Sequence, residues 1–93
     1  MHELKRIFKF ELNPNLIDRP QAVAMPAGAR VLDIDWQPGS PTLSIWAVVD
    51  PEAPYENRAF YLAFTGSVHP EGWRYFRTVF VGQYVYHAYV GVE

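Results

Sequence analysis

Apolar side chains recur at every second position along nearly the whole chain, and a period of two marks strands with one buried and one wet face. Phe8, Phe10 and Leu12 alternate with Lys9 and Glu11. Leu32, Ile34 and Trp36 alternate with Val31, Asp33 and Asp35. Leu43, Ile45, Ala47 and Val49 alternate with Ser44, Trp46 and Val48, and Phe60, Leu62 and Phe64 with Tyr61 and Ala63. A short further strand is expected around Val23 and Met25, between Pro20 and Pro26. No stretch sustains the i, i+3, i+4, i+7 spacing of an amphipathic helix. Only Asn13–Arg19 allows a single helical turn, since Pro14 suits a first helical position.

The breaks between these runs carry turn chemistry. Gln37–Pro41 contains Pro-Gly, which suits the central positions of a type II turn, so the runs on either side are expected to pair as an antiparallel hairpin. Asp50–Asn57, with two prolines and three acids, reads as a solvated connection with at most a short helical turn, and Gly66–Gly72 as a loop. The last two strands, Trp73–Val81 and Tyr84–Val92, flank Gly82-Gln83. A two-residue link with glycine first fits a type II′ hairpin, because glycine accepts the positive φ required there. The expectation is an all-β fold: one domain over residues 1–93, an antiparallel β-sandwich or open barrel of about seven short strands. Leu32, Ile34, Ile45, Phe60 and Leu62 are predicted to form its core.

A chain of 93 residues buries only a modest share of its surface, and without cysteine it has no disulfide to compensate. The core must then draw on the six Phe, six Tyr and three Trp, each able to bury roughly 150–250 Å². The formal net charge of −2 gives no electrostatic case for long nucleic acid or an anionic membrane. No apolar run approaches the roughly 18–20 residues that span a bilayer. The opening Met1–Arg6 has no apolar leader segment, so a cytoplasmic location is expected.

Several segments taken together resemble a family of short phage and prophage proteins of unknown function. They are Ile7–Leu12, Met25–Leu32, Ile45–Pro54 with its Trp-Ala-Val-Val-Asp-Pro-Glu-Ala-Pro run, and the ending Tyr75–Phe80 followed by Val85–Val90. The likeness covers nearly the whole chain in the same order. It implies phage origin and a shared fold, and it implies no activity. This chain departs from the family at Phe64–Pro70, where two extra residues separate Gly66 from His69 in place of a Gly-Thr-Gly-His stretch.

His87 shares a strand face with Val85 and Tyr89 and titrates in the physiological range. Without a marked nucleophile or orienting acid, it is expected to be a half-buried, hydrogen-bonded strand residue. Asp33 and Asp35 project from one strand face about 6.5–7 Å apart, and the absence of a third acid argues for a solvated face rather than a metal site. Trp46 lies on the face opposite Leu43 and Ile45, beside Val48, where an outward Trp marks a contact surface. Nearly half of the aromatic residues fall in the last hairpin, interleaved with two arginines. Trp73, Arg74, Tyr75, Arg77, Tyr84, Tyr86 and His87 therefore join Trp46 in one candidate interaction surface, with no catalytic residue, metal or cofactor. His69 and Arg58 have no defined spacing to anything and carry little weight.

The functional expectation is binding rather than catalysis. The partner would be a host or phage protein, in the role of a host-interaction, counter-defence or minor assembly factor, with incorporation into the virion left open. A second copy of the chain would cover the face around Trp46, Val48 and the terminal hairpin. The alternative is a small-ligand or nucleotide binder that uses aromatic and arginine side chains at an oligomer interface.

Overall fold

The computed structural model describes residues 4–91. Seven strands follow one another: β1 (Arg6–Leu12), β2 (Pro20–Pro26), β3 (Arg30–Trp36), β4 (Leu43–Val49), β5 (Tyr55–Phe64), β6 (Trp73–Val81) and β7 (Tyr84–Gly91). They form two antiparallel sheets, one of three strands in the order β1-β4-β3 and one of four in the order β2-β5-β7-β6. The sheets pack as a sandwich, as the alternation predicts. They come together at their edges as well, β3 against β6 and β1 against β2. Val92, placed in the last strand by its sequence, lies outside the described residues.

The turns follow their residue chemistry. Ser40 N–H donates to the Gln37 carbonyl at 2.9 Å, and Gly39 takes φ +90°, closing the type II turn that joins β3 to β4. Gly82 takes φ +59° while Gln83 stays at negative φ, as the tight link from β6 to β7 requires. Asn13–Arg19 makes no helix. Leu16 N–H reaches the Asn13 carbonyl and Asn15 N–H reaches Asn13 Oδ1, so the asparagine side chain closes a turn where a helix would need its backbone to continue. In Asp50–Asn57 the turn is shorter than the composition suggests, and β5 already begins at Tyr55.

The core lies between the sheets. Ile34, Ile45, Phe60 and Leu62 are all fully buried there, alongside Leu12, Met25 and Val79. Leu32 does not join them and is 40 % exposed. The register of β3 on β4 jumps between Val31 and Asp33, a bulge that leaves Leu32 unpaired. One extra residue reverses which side chains face inward. Val31, opposite Ala47, packs on the core in its place.

A second bulge lies in β6, between Tyr75 and Arg77. Unbroken alternation would put these two side chains on one face. With Phe76 inserted, Tyr75 pairs with Tyr89 on the outer face, and Arg77 pairs with Ala88 on the inner one. The two bulges sit on the adjacent edge strands β3 and β6, the seam where the sheets meet.

Candidate functional site

The outer face of the four-stranded sheet is built from register. Tyr61 on β5 lies opposite Tyr89 on β7, and Tyr89 lies opposite Tyr75 on β6. One residue pair away, Ala63, His87 and Thr78 line up across the same three strands. Trp73 and Phe80 extend the row at either end of β6, and the small Ala22, Ala24 and Ala59 continue it onto β2. No Asp, Glu, Lys or Arg occupies an outward position on these four strands.

The aromatic rings on this face pack on one another. Tyr89 is their hub: its ring lies 5.7 Å from Tyr75, 6.3 Å from Tyr61 and 5.5 Å from the His69 imidazole, each edge-on. Tyr61 in turn meets Trp73 at 5.3 Å. Edge-to-face contacts of this kind set the positive ring edge against the negative face of a neighbour. Tyr89 is thereby only 7 % exposed although it points away from the core, and its hydroxyl lies 3.1 Å from His69 Nδ1. The departing loop residue His69 thus acts as a cover on the aromatic cluster.

Beside the cluster runs a polar row. Tyr75 OH and Thr78 Oγ1 are 2.6 Å apart, Thr78 Oγ1 and His87 Nδ1 3.0 Å, and His87 Nε2 and Thr65 Oγ1 2.8 Å. Each threonine hydroxyl can donate or accept, so the imidazole is satisfied at both nitrogens in either tautomer. His87 is therefore a strand residue held by hydrogen bonds.

The structure divides the eight residues of the expected surface. Trp73, Tyr75 and His87 share the outer face just described. Trp46 lies on the outer side of the other sheet, half-buried between Lys9 of β1 and Asp33 of β3. A sandwich turns its two outer faces in opposite directions, so Trp46 and the terminal hairpin do not form one face. Tyr86 is in the core, its ring 5.0 Å from Phe64, and presents no surface. Tyr84 is exposed at the hairpin end. Arg74 and Arg77 line the seam with β3. There Arg77 donates to Asp33 at 2.9 Å and approaches Asp35 Oδ2 at 3.5 Å, so the aspartate pair holds an arginine. That hydrogen bond is the main reason the guanidinium is held above its ordinary range. No cluster of three metal-ligating side chains occurs among the described residues.

Sequence reasoning passed over Tyr61, Thr65 and Thr78, gave His69 little weight, and counted Tyr89 only as one of several hairpin aromatics. Tyr61 shares the phase of Ala63, so strand parity could have placed it outward. Thr78 was hidden by the β6 bulge, and Thr65 and His69 sit in or beside a loop whose path no periodicity describes.

Burial of the Tyr86 phenol raises its pKa, and the nearby Tyr84 adds to the rise. A phenol with a raised folded pKa keeps its proton longer in the native state. The unfolded chain then binds fewer protons as pH climbs past about 10, and stability falls. We expect the unfolding free energy to be flat near neutrality and to decline above that pH. In Tyr86→Phe the decline should be shallower, as measured by urea titrations across the alkaline range. An identical alkaline slope in the two proteins would contradict this reading of Tyr86.

Residues 4–93 match a family described as a domain of unknown function, DUF7352. No curated protein and no solved structure matches the chain. Among the described residues no helix is long and apolar enough to cross a membrane.

Proposed function

The chain belongs to the DUF7352 family, and we propose that it is a small phage or prophage protein that acts in the host cytoplasm by binding another protein. The observation that carries this reading is the outer face of the four-stranded sheet, where aromatic and small side chains run across four strands without a charge. Tyr and Trp are enriched in the centres of protein interfaces and charged residues depleted there. Phe80, 66 % exposed, and Tyr75 stand proud of this face, as anchors for a partner's pocket would. Both nitrogens of His87 are engaged by threonine hydroxyls, which favours a structural imidazole over a proton-transferring one. The phage assignment is supported by the Trp46–Pro54 run and the closing hairpin, and a role in host interaction, counter-defence or minor assembly follows from it.

A face without charge binds by burial rather than by steering. Its complex should therefore survive about 1 M salt, where the Debye length falls to about 3 Å. We expect tagged wild-type protein to retain its partner from host cells through a high-salt wash and Phe80→Asp to lose it, with both variants equally folded by circular dichroism. Light scattering of the purified protein then tells whether that partner is a second copy. Retention of the same proteins by Phe80→Asp, or their release by salt alone, would refute the assignment of this face.

A further inference from the structure

Among the described residues the edge strands of the two sheets are β1, β3, β6 and β2, and the first three carry features that discourage further pairing. β3 and β6 contain bulges and pack against each other. β1 carries Arg6, Lys9 and Glu11. Charges and bulges of this kind keep an edge from adding another strand. β2 has neither: Pro20-Gln21-Ala22-Val23-Ala24-Met25-Pro26 holds no charge, and its register with β5 is unbroken. A groove of about 760 Å³ opens beside it, lined by Ala22, Val23 and Ala24 of β2 and by Leu12, Asn13 and Leu16 where β1 ends. The Gln21 amide fixes that second wall, accepting from Asn13 N–H at 2.9 Å and donating to the Asn13 carbonyl at 3.0 Å.

Ala27 N–H donates to the Pro54 carbonyl at 2.8 Å, continuing the register that sets Pro26 opposite Tyr55. Bonded and non-bonded pairs alternate along an antiparallel ladder. Gln21, Val23 and Met25 therefore bond across to β5, while Pro20, Ala22, Ala24 and Pro26 turn their backbone polar groups away from it. Both prolines fall where β5 asks for no donor, and the Pro26 carbonyl is taken by Ala29 N–H. Ala22 and Ala24 remain, each with a donor and an acceptor directed outward and a small exposed side chain. The strand is also symmetric about Val23, apart from the buried Gln21 and Met25. Antiparallel pairing with a second β2 about a twofold axis at Val23 sets Ala22 against the partner's Ala24 and Pro20 against the partner's Pro26. Each alanine then both donates and accepts, no donor meets a proline, and the prolines end the pairing on both sides. A strand from an unrelated protein would need no such symmetry, whereas an interface between two copies is self-complementary by construction.

We propose that two copies of this chain associate through β2, pairing edge to edge about Val23 and joining their four-stranded sheets into one. The aromatic faces of both copies stay free for another protein, and the pairing does not rest on that protein. Sedimentation velocity of the full chain over a concentration series tests it, using wild type, Ala24→Pro and Phe80→Asp, alongside amide hydrogen exchange of the wild type. Proline is tolerated at an edge position whose N–H faces outward, so Ala24→Pro should keep the fold by circular dichroism. The expected result is a reversible dimer in wild type and in Phe80→Asp. In Ala24→Pro the dimer should be at least about tenfold weaker, because each copy has lost a donor. Protection of the wild-type Ala22 and Ala24 amides should rise with protein concentration, a readout that needs no variant to fold. A wild type that stays monomeric at high micromolar concentration would overturn the proposal. So would a dimer that Ala24→Pro leaves intact or Phe80→Asp abolishes, or exchange at Ala22 and Ala24 that is the same at every concentration. Protection that appears only when another protein is added would give the edge to a foreign strand and overturn the pairing of copies as well.

Discussion

Phe60→Ala is expected to lower the free energy of unfolding by about 3–5 kcal/mol, because it removes a ring from a site with no exposed surface and leaves a cavity behind. Phe60 lies at the centre of β5, opposite Gln21 on β2 and Val90 on β7, and its ring fills the space between the sheets. A domain of this length has a total stability of about 5–14 kcal/mol, so the variant should stand at the edge of folding. Leu32→Ala provides the contrast. The notion of unbroken alternation makes Leu32 as much a core residue as Phe60, whereas the bulge turns it to solvent. Its replacement should cost less than about 1 kcal/mol. Urea unfolding of the two variants under one set of conditions checks both expectations. Similar losses at the two positions would mean that β3 pairs without its bulge.

The second large effect is expected on the opposite side of the sheet. Tyr89 points away from the core but is enclosed by Tyr61, Tyr75 and His69, which gives the four-stranded sheet an apolar layer on its outside as well. Tyr89→Ala should therefore cost about 2–4 kcal/mol, well beyond what an ordinary outward strand position costs, since it removes both buried ring area and edge-to-face contacts. Tyr89→Phe keeps the ring and loses only the hydroxyl contact with His69, a change of about 1 kcal/mol. The pair is measured by thermal or urea unfolding, with near-ultraviolet circular dichroism to follow the packing of the rings. A loss in Tyr89→Ala below about 1 kcal/mol would show that the outer aromatics are independent of one another. Trp73 and Tyr75 would then be separate surface residues rather than parts of one preorganised face.

These expectations bear on how the protein could divide its work. The aromatic face is uncharged and preassembled, which suits association through buried area. The seam between β3 and β6 holds both arginines of the hairpin, and the bulge in β6 aims Arg77 at the aspartates of β3. Arg77 turns toward the aspartates only because Phe76 is bulged out of the ladder; with Phe76 paired in unbroken alternation, Arg77 would stand on the aromatic face with Tyr75. The same insertion keeps the outer face free of charge. One local irregularity therefore supports both surfaces.

Strand positions and turn types were legible in the chain because they depend on neighbours a few residues apart. Alternation along Leu43–Val49 assigned its inward side chains correctly, and Gly39 and Gly82 stand where backbone with positive φ is needed. The outward placement of Trp46 and the strand face shared by His87 and Tyr89 followed from the same parity. What parity could not supply was the sheet to which each strand belongs. Chain order passes from the three-stranded sheet to the other and back before β4, and β7 inserts between β5 and β6. Those choices are made by burial of whole faces, a property of all seven strands at once, and they separated Trp46 from the terminal hairpin. The bulges at Leu32 and Phe76 were equally hidden, since each is decided by the pairing partner rather than by the residue itself. Period two determined which side chains alternate; only the packed sheets decided where the alternation breaks, and so that Arg77 meets Asp33 and Asp35.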